Sequence, residues 1–172
     1  MSYHNEIAGI YEPSLVEIFD RLNSEVFDGK LPTPDALAYD YRPSNRRGGQ
    51  IYYRYSDGHC YYIVVRGKQK DNPKNVELTM LHEMCHLSLI VQFFESDLRN
   101  TNYRIKDFVK DKSGTFILEL AKAAIKYGCT FRELECWSDE DSPDKETTIT
   151  SKKYNEIQSA KSLLATLSQG GK

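Results

Sequence analysis

Apolar positions along the chain change period several times, and each change marks an element. Leu15, Ile18, Phe19, Leu22, Val26 and Phe27 recur at helical spacing and predict an amphipathic helix. Pro13 suits its first turn, Ser14 to Glu17 has the Ser-x-x-Glu spacing of a capping box, and Asp28-Gly29 ends it. Leu31-Pro32-Thr33-Pro34 must be extended, since each proline turns its predecessor away from helix. The following sequence is β-rich. Leu37 to Tyr41 reads as a short strand, and the runs Gln50 to Tyr55 and His59 to Arg66 flank Asp57-Gly58 as a hairpin. From Val76 to about Phe93 the apolar residues fall on nearly every helical face, the signature of a buried central helix. Glu95 to Lys112 is polar without a clean period, and Thr115 to Lys126 predicts another helix closed by Gly128. Phe131 to Trp137 reads as a short strand or turn. Tyr154, Ile157, Ala160, Leu163, Leu164 and Leu167 give a weak terminal helix. The pattern predicts an α+β domain over residues 1–137: an N-terminal helix behind a frayed tail holding His4, a short antiparallel sheet with a hairpin, a buried central helix and further helices. Residues 138–172 read as an acidic linker and the weak C-terminal helix.

Composition adds bounds. The chain has 172 residues, 40% hydrophobic and 28% charged, so it reads as a globular domain. A formal net charge of −2 excludes a uniformly basic nucleic-acid coat. No run approaches the roughly 18 apolar residues of a membrane helix, and the first residues lack the basic and apolar stretches of a signal peptide. Cys60, Cys85, Cys129 and Cys136 form no C-x-x-C pair, and they read as reduced thiols of a cytoplasmic protein. The charge is unevenly spread. Residues 42–74 carry eight basic side chains against Asp57 and Asp71, whereas residues 133–146 carry seven acids against Lys145.

The chemistry concentrates in His82-Glu83-Met84-Cys85-His86. Histidines four apart on a helix point to one side, so both imidazoles can bind one metal, with Glu83 about 100° round and within reach of a bound water. Zinc lowers the pKa of its water to about 7, and a carboxylate can take the proton as the water attacks a carbonyl and pass it to the leaving amine. An H-E-x-x-H string also arises by chance on solvated helices. Here the polar trio lies among Leu, Met, Ile, Val and Cys, where unpartnered burial costs several kcal/mol. A metal removes that cost. Cys85, on the same helix, reads as a small core residue.

Asn23 to Pro32, the Tyr-rich hairpin, and Leu78 to His86 follow in the order and spacing of SprT-like (Spartan-related) metallopeptidases, which this chain resembles over roughly residues 10 to 128. The resemblance implies a compact zincin-type domain and a zinc-dependent endopeptidase, in several members acting on proteins bound or crosslinked to DNA. It implies His82 and His86 as zinc ligands and Glu83 as the catalytic carboxylate. One departure stands out. The family's third zinc histidine falls where this chain reads Asp111-Lys112-Ser113-Gly114-Thr115-Phe116, and no histidine follows His86. Asp111 lies one or two residues from the expected position, and Glu119 would give the His-His-Glu set of other H-E-x-x-H peptidases. A site with no third protein ligand is a further alternative, and His59 or a cysteine a more remote one.

Six of the twelve tyrosines (41, 52, 53, 55, 61 and 62) crowd among Arg42, Arg46, Arg47 and Arg54. Aromatics beside cations suit a single-stranded nucleic-acid groove; strand-forming tyrosines beside a solvated arginine face read the same. The hairpin could also present an extended peptide to the active helix, with Gly48-Gly49 allowing close approach. Two functions follow: a zinc metallopeptidase acting on a protein or peptide, or a catalytically inactive SprT-like module contacting nucleic acid or a protein partner through residues 42–74.

Overall fold

The computed structural model describes residues 3–42, 48–111 and 113–135. The linker and terminal helix expected over 138–172, Trp137, Cys136, Arg46 and Arg47 lie outside them. The described chain is α+β. A short helix α1 (Tyr3–Ile7) precedes α2 (Pro13–Phe27). Three strands follow, β1 (Leu37–Asp40), β2 (Gly49–Tyr53) and β3 (Cys60–Arg66). The central helix α3 (Pro73–Glu95) then leads to α4 (Ile105–Val109), α5 (Gly114–Tyr127) and α6 (Phe131–Glu135).

Helix α2 starts on Pro13, but the capping box is not made: Glu12 is the N-cap, and Ser14 Oγ instead lies 3.4 Å from the Tyr39 hydroxyl. Helix α3 begins three residues earlier than the apolar pattern suggests. Asn72 accepts from the Asn75 N–H and Pro73 occupies the first turn, so polar capping extends the helix beyond its hydrophobic stretch. Helix α5 is capped by Ser113, which accepts from the Phe116 N–H, and closes at Gly128.

The sheet is mixed, not antiparallel as expected. Its order is β1-β3-β2, with β2 antiparallel to β3 through the hairpin and β1 parallel to β3. The hairpin partner β2 occupies one side of β3, and β1 takes the other. Gly58 turns at φ +79° in the hairpin loop, where a side chain would also strike Phe94 and Ile90.

Two further expectations are corrected. Phe131 to Glu135 is helix α6, not strand or turn, because the Thr130 hydroxyl accepts from the Glu133 N–H and caps it. His4 is not in a frayed tail. Helix α1 lies on the sheet, where His4 stacks on Tyr52 and Tyr61 and Tyr3 meets the edge of Tyr62.

Helix α3 is the spine. Met80, Leu81, Met84, Cys85, Leu87 and Leu89 are fully buried among residues from α2, the sheet, α4 and α5, including Phe19, Ile63, Phe108 and Phe116. Cys85 is a core residue as expected, and burial pushes its thiol well above the ordinary value. Among the described residues, no helix is long and apolar enough to cross a membrane.

Candidate metal centre

His82, Glu83 and His86 sit mid-way along α3 with 6%, 6% and 7% of their surface exposed. Each histidine is held by its Nδ1. That of His82 pairs with the Leu134 carbonyl of α6 at 2.9 Å, and that of His86 with the Val109 carbonyl at the end of α4 at 2.6 Å. A carbonyl can only accept, so each ring carries its proton on Nδ1 and turns Nε2 inward, the arrangement a metal-ligating imidazole adopts. The Phe116 ring stacks flat on His86, with centroids 3.9 Å apart, and meets His82 edge-on at 5.1 Å.

Both Nε2 atoms converge on one oxygen. Asp111 Oδ1 lies 3.2 Å from His82 Nε2 and 2.9 Å from His86 Nε2. With Nδ1 protonated on both rings, three lone-pair atoms face a common point, which calls for a cation between them or a second proton on each ring. Ligands about 2.05 Å from a tetrahedral zinc are about 3.3 Å apart, close to these separations. The ligand atoms of His82, His86 and Asp111 all lie within 4.8 Å of one another, close enough to hold a metal ion. The same convergence shifts protonation. Hydrogen bonds from the two histidines hold the Asp111 carboxyl well below its usual range. Burial pushes the His82 imidazole down, but the Asp111 hydrogen bond and the Glu83 charge outweigh it and the net shift is upward. Asp111 retains 65% of its side-chain exposure, against 8% and 9% for the histidines, so the cluster opens to solvent on that side.

The other candidates lie elsewhere. Glu119 is buried on α5, where its Oε1 accepts from Ser88 at 2.8 Å, with Gln92 donating to the same hydroxyl. His59 pairs with Asp35 at 2.7 Å near the hairpin loop. Cys60 and Cys85 are buried free thiols. Glu83 faces the sheet: a Cβ added to Gly49, at the start of β2, would lie 3.2 Å from Glu83 Cγ and 2.6 Å from Thr79 Cγ2. The glycine lets an edge strand pass close against the Glu83 side chain. The Leu134 and Val109 carbonyls left no signal in the sequence, because any residue supplies a carbonyl. Phe116 is one of several apolar residues on α5, and periodicity alone does not single it out; it enters the sequence reading only as the aromatic end of the segment compared with the SprT-like pattern.

The basic, Tyr-rich segment is more self-contained than its composition suggests. Arg42 is bound by the buried Asp40, with Nε and Nη2 contacts of 2.9 and 2.7 Å, and its guanidinium lies over the Tyr3 ring. Arg54 pairs with Asp57 through Nε and Nη2. Tyr52 stacks on Tyr62, whereas Tyr41 and Tyr55 remain largely exposed. A scan against protein-family models and searches of the curated proteins and of the solved structures match nothing to this chain.

Proposed function

We propose that the chain is a zinc-dependent metallopeptidase of SprT-like type in which Asp111 replaces the family's third zinc histidine. The observation that carries this reading is the convergence of the Asp111 carboxylate on two Nδ1-anchored histidines that sit, with Glu83 between them in sequence, in the buried middle of α3. The donor set of two imidazole nitrogens and a carboxylate oxygen suits zinc and leaves a coordination position for water or substrate. Bound there, zinc supplies Lewis acidity toward a scissile carbonyl and a water acidic enough to lose its proton near neutral pH.

The protein's own groups do the rest. Glu83, next to His82 in the chain and against the β2 backbone, takes the proton from the attacking water and returns it to the leaving amine. Strand β2 is a sheet edge, so an extended peptide can pair along it and bring its backbone past Glu83. The Leu134 and Val109 carbonyls keep both imidazoles in the ligating tautomer throughout. Proteolysis of an unfolded protein substrate should be abolished by a chelator, restored by zinc, and lowered about 10²- to 10⁴-fold by Glu83→Gln with metal retained. Chelator-insensitive cleavage, or full activity in Glu83→Gln, would contradict the reading.

A second reading rests on the exposed Tyr41, Tyr52 and Tyr55 beside the basic segment: a module without catalysis that stacks single-stranded nucleic acid. It requires binding that weakens steeply with salt and is indifferent to chelators. With Arg42 and Arg54 already paired to aspartates, it is the weaker reading.

A further inference from the structure

The end of α4 and the chain that follows it carry two parts of the metal centre, the Val109 carbonyl and the Asp111 carboxylate. Neither belongs to a long element. Helix α4 is one short turn that ends at Val109, and α5 starts only at Gly114. Asp111 is largely exposed, so packing of its own side chain does little to hold it. Something else must fix this elbow to within the few tenths of an ångström that ligation tolerates.

Two buried hydroxyls meet that need. Thr115 Oγ1 donates to the Phe108 carbonyl, and Ser113 Oγ approaches the same oxygen at 3.0 Å. The two hydroxyls are 3.1 Å apart, and Ser113 Oγ also accepts from the Phe116 N–H at 3.1 Å. Ser113 is 8% exposed and Thr115 3%. A carbonyl has two lone pairs, so one buried oxygen at the end of α4 can take both hydroxyls from the start of α5. The knot spans the elbow from the residue just before the His86 acceptor to the residue just before Phe116, the ring on which His86 stacks.

We propose that Thr115, together with Ser113, is a positioning residue for the metal centre: by clamping the Phe108 carbonyl it sets the elbow that presents Asp111 Oδ1 and the Val109 carbonyl to the two histidines. The proposal rests on the metal-centre reading. It separates two roles that a buried threonine on a helix could have, since its methyl group packs and only its hydroxyl clamps. Thr115→Val removes the hydroxyl and keeps the shape; Thr115→Ser does the reverse.

The test is zinc affinity of the full chain by competition with a chromophoric chelator, paired with the visible spectrum of the cobalt-substituted protein. Thr115→Val is expected to bind zinc about tenfold more weakly, the scale on which supporting partners of metal ligands act, with a changed cobalt spectrum. Thr115→Ser is expected to stay within about threefold of wild type with the wild-type spectrum. Wild-type affinity and spectrum in Thr115→Val would overturn the inference while leaving the metal centre standing. A tenfold loss in Thr115→Ser, which keeps the hydroxyl, would overturn it equally, and this variant serves if Thr115→Val does not fold. A wild-type protein that binds no zinc would overturn the metal centre and this inference with it.

Discussion

Asp111 and Glu119 are both acids downstream of the H-E-x-x-H segment, and what each carboxylate touches separates them. Asp111 faces both Nε2 atoms at the solvent-open side of the cluster, whereas Glu119 is spent on Ser88 inside the α3–α5 interface. Replacing them should therefore produce opposite phenotypes. Asp111→Ala should weaken zinc binding by more than about 100-fold, beyond the 10- to 100-fold typical of outer-shell partners. Glu119→Ala should leave zinc affinity within about threefold and lower unfolding free energy by about 1–3 kcal/mol, because it strands a buried hydroxyl. Urea unfolding of the metal-free proteins and a chelator competition distinguish the two. That His82, Glu83 and His86 are buried together on α3 was legible from the sequence, because the residues around them are apolar on nearly every face. The choice between Asp111 and Glu119 was not, since it depends on Asp111, in the short connection between α4 and α5, coming to face the two histidines of α3.

Among the elements, the length and burial of α3 follow directly from its sequence, and the hairpin from Asp57-Gly58 between two β-branched and aromatic runs. The parallel β1–β3 pairing was hidden, because strand periodicity reports which face is buried and says nothing about direction. Helix α6 was missed although Thr130-Phe131-Arg132-Glu133 has helix-start spacing; five residues are too few to display a period. That small helix matters, since its Leu134 carbonyl orients His82. Strand β2 matters through its first residue. Gly49→Ala puts a methyl group 2.6 Å from Thr79 Cγ2, 3.0 Å from the Val64 carbonyl and 3.2 Å from Glu83 Cγ. The strand and the helix must then move apart, at a cost of about 1–3 kcal/mol. The expected result is a lower denaturation midpoint together with reduced peptidase turnover, while metal content stays at the wild-type level; unchanged turnover would detach β2 from the active site.

At the scale of the whole molecule, the candidate metal centre draws on parts of the chain far apart in sequence: α3 offers two imidazoles, the α4–α5 connection a carboxylate, and α6 a carbonyl that orients one imidazole. A cation bound at such a junction favours the folded state alone, and at a free concentration 1,000 times its dissociation constant it contributes about 4 kcal/mol. For a chain of this size that corresponds to a rise of about 10 °C in the thermal midpoint on adding zinc to chelator-treated protein, readable by calorimetry. A shift within about 1 °C would mean that the cluster holds no metal in the folded state. The most direct measurement of the central claim is the metal content of the purified, tag-free protein by mass spectrometry, with no zinc added. The account predicts close to one zinc per chain in the wild-type protein and little in Asp111→Ala. A wild-type chain that carries no metal, and retains none after zinc is added and dialysed away, would contradict it.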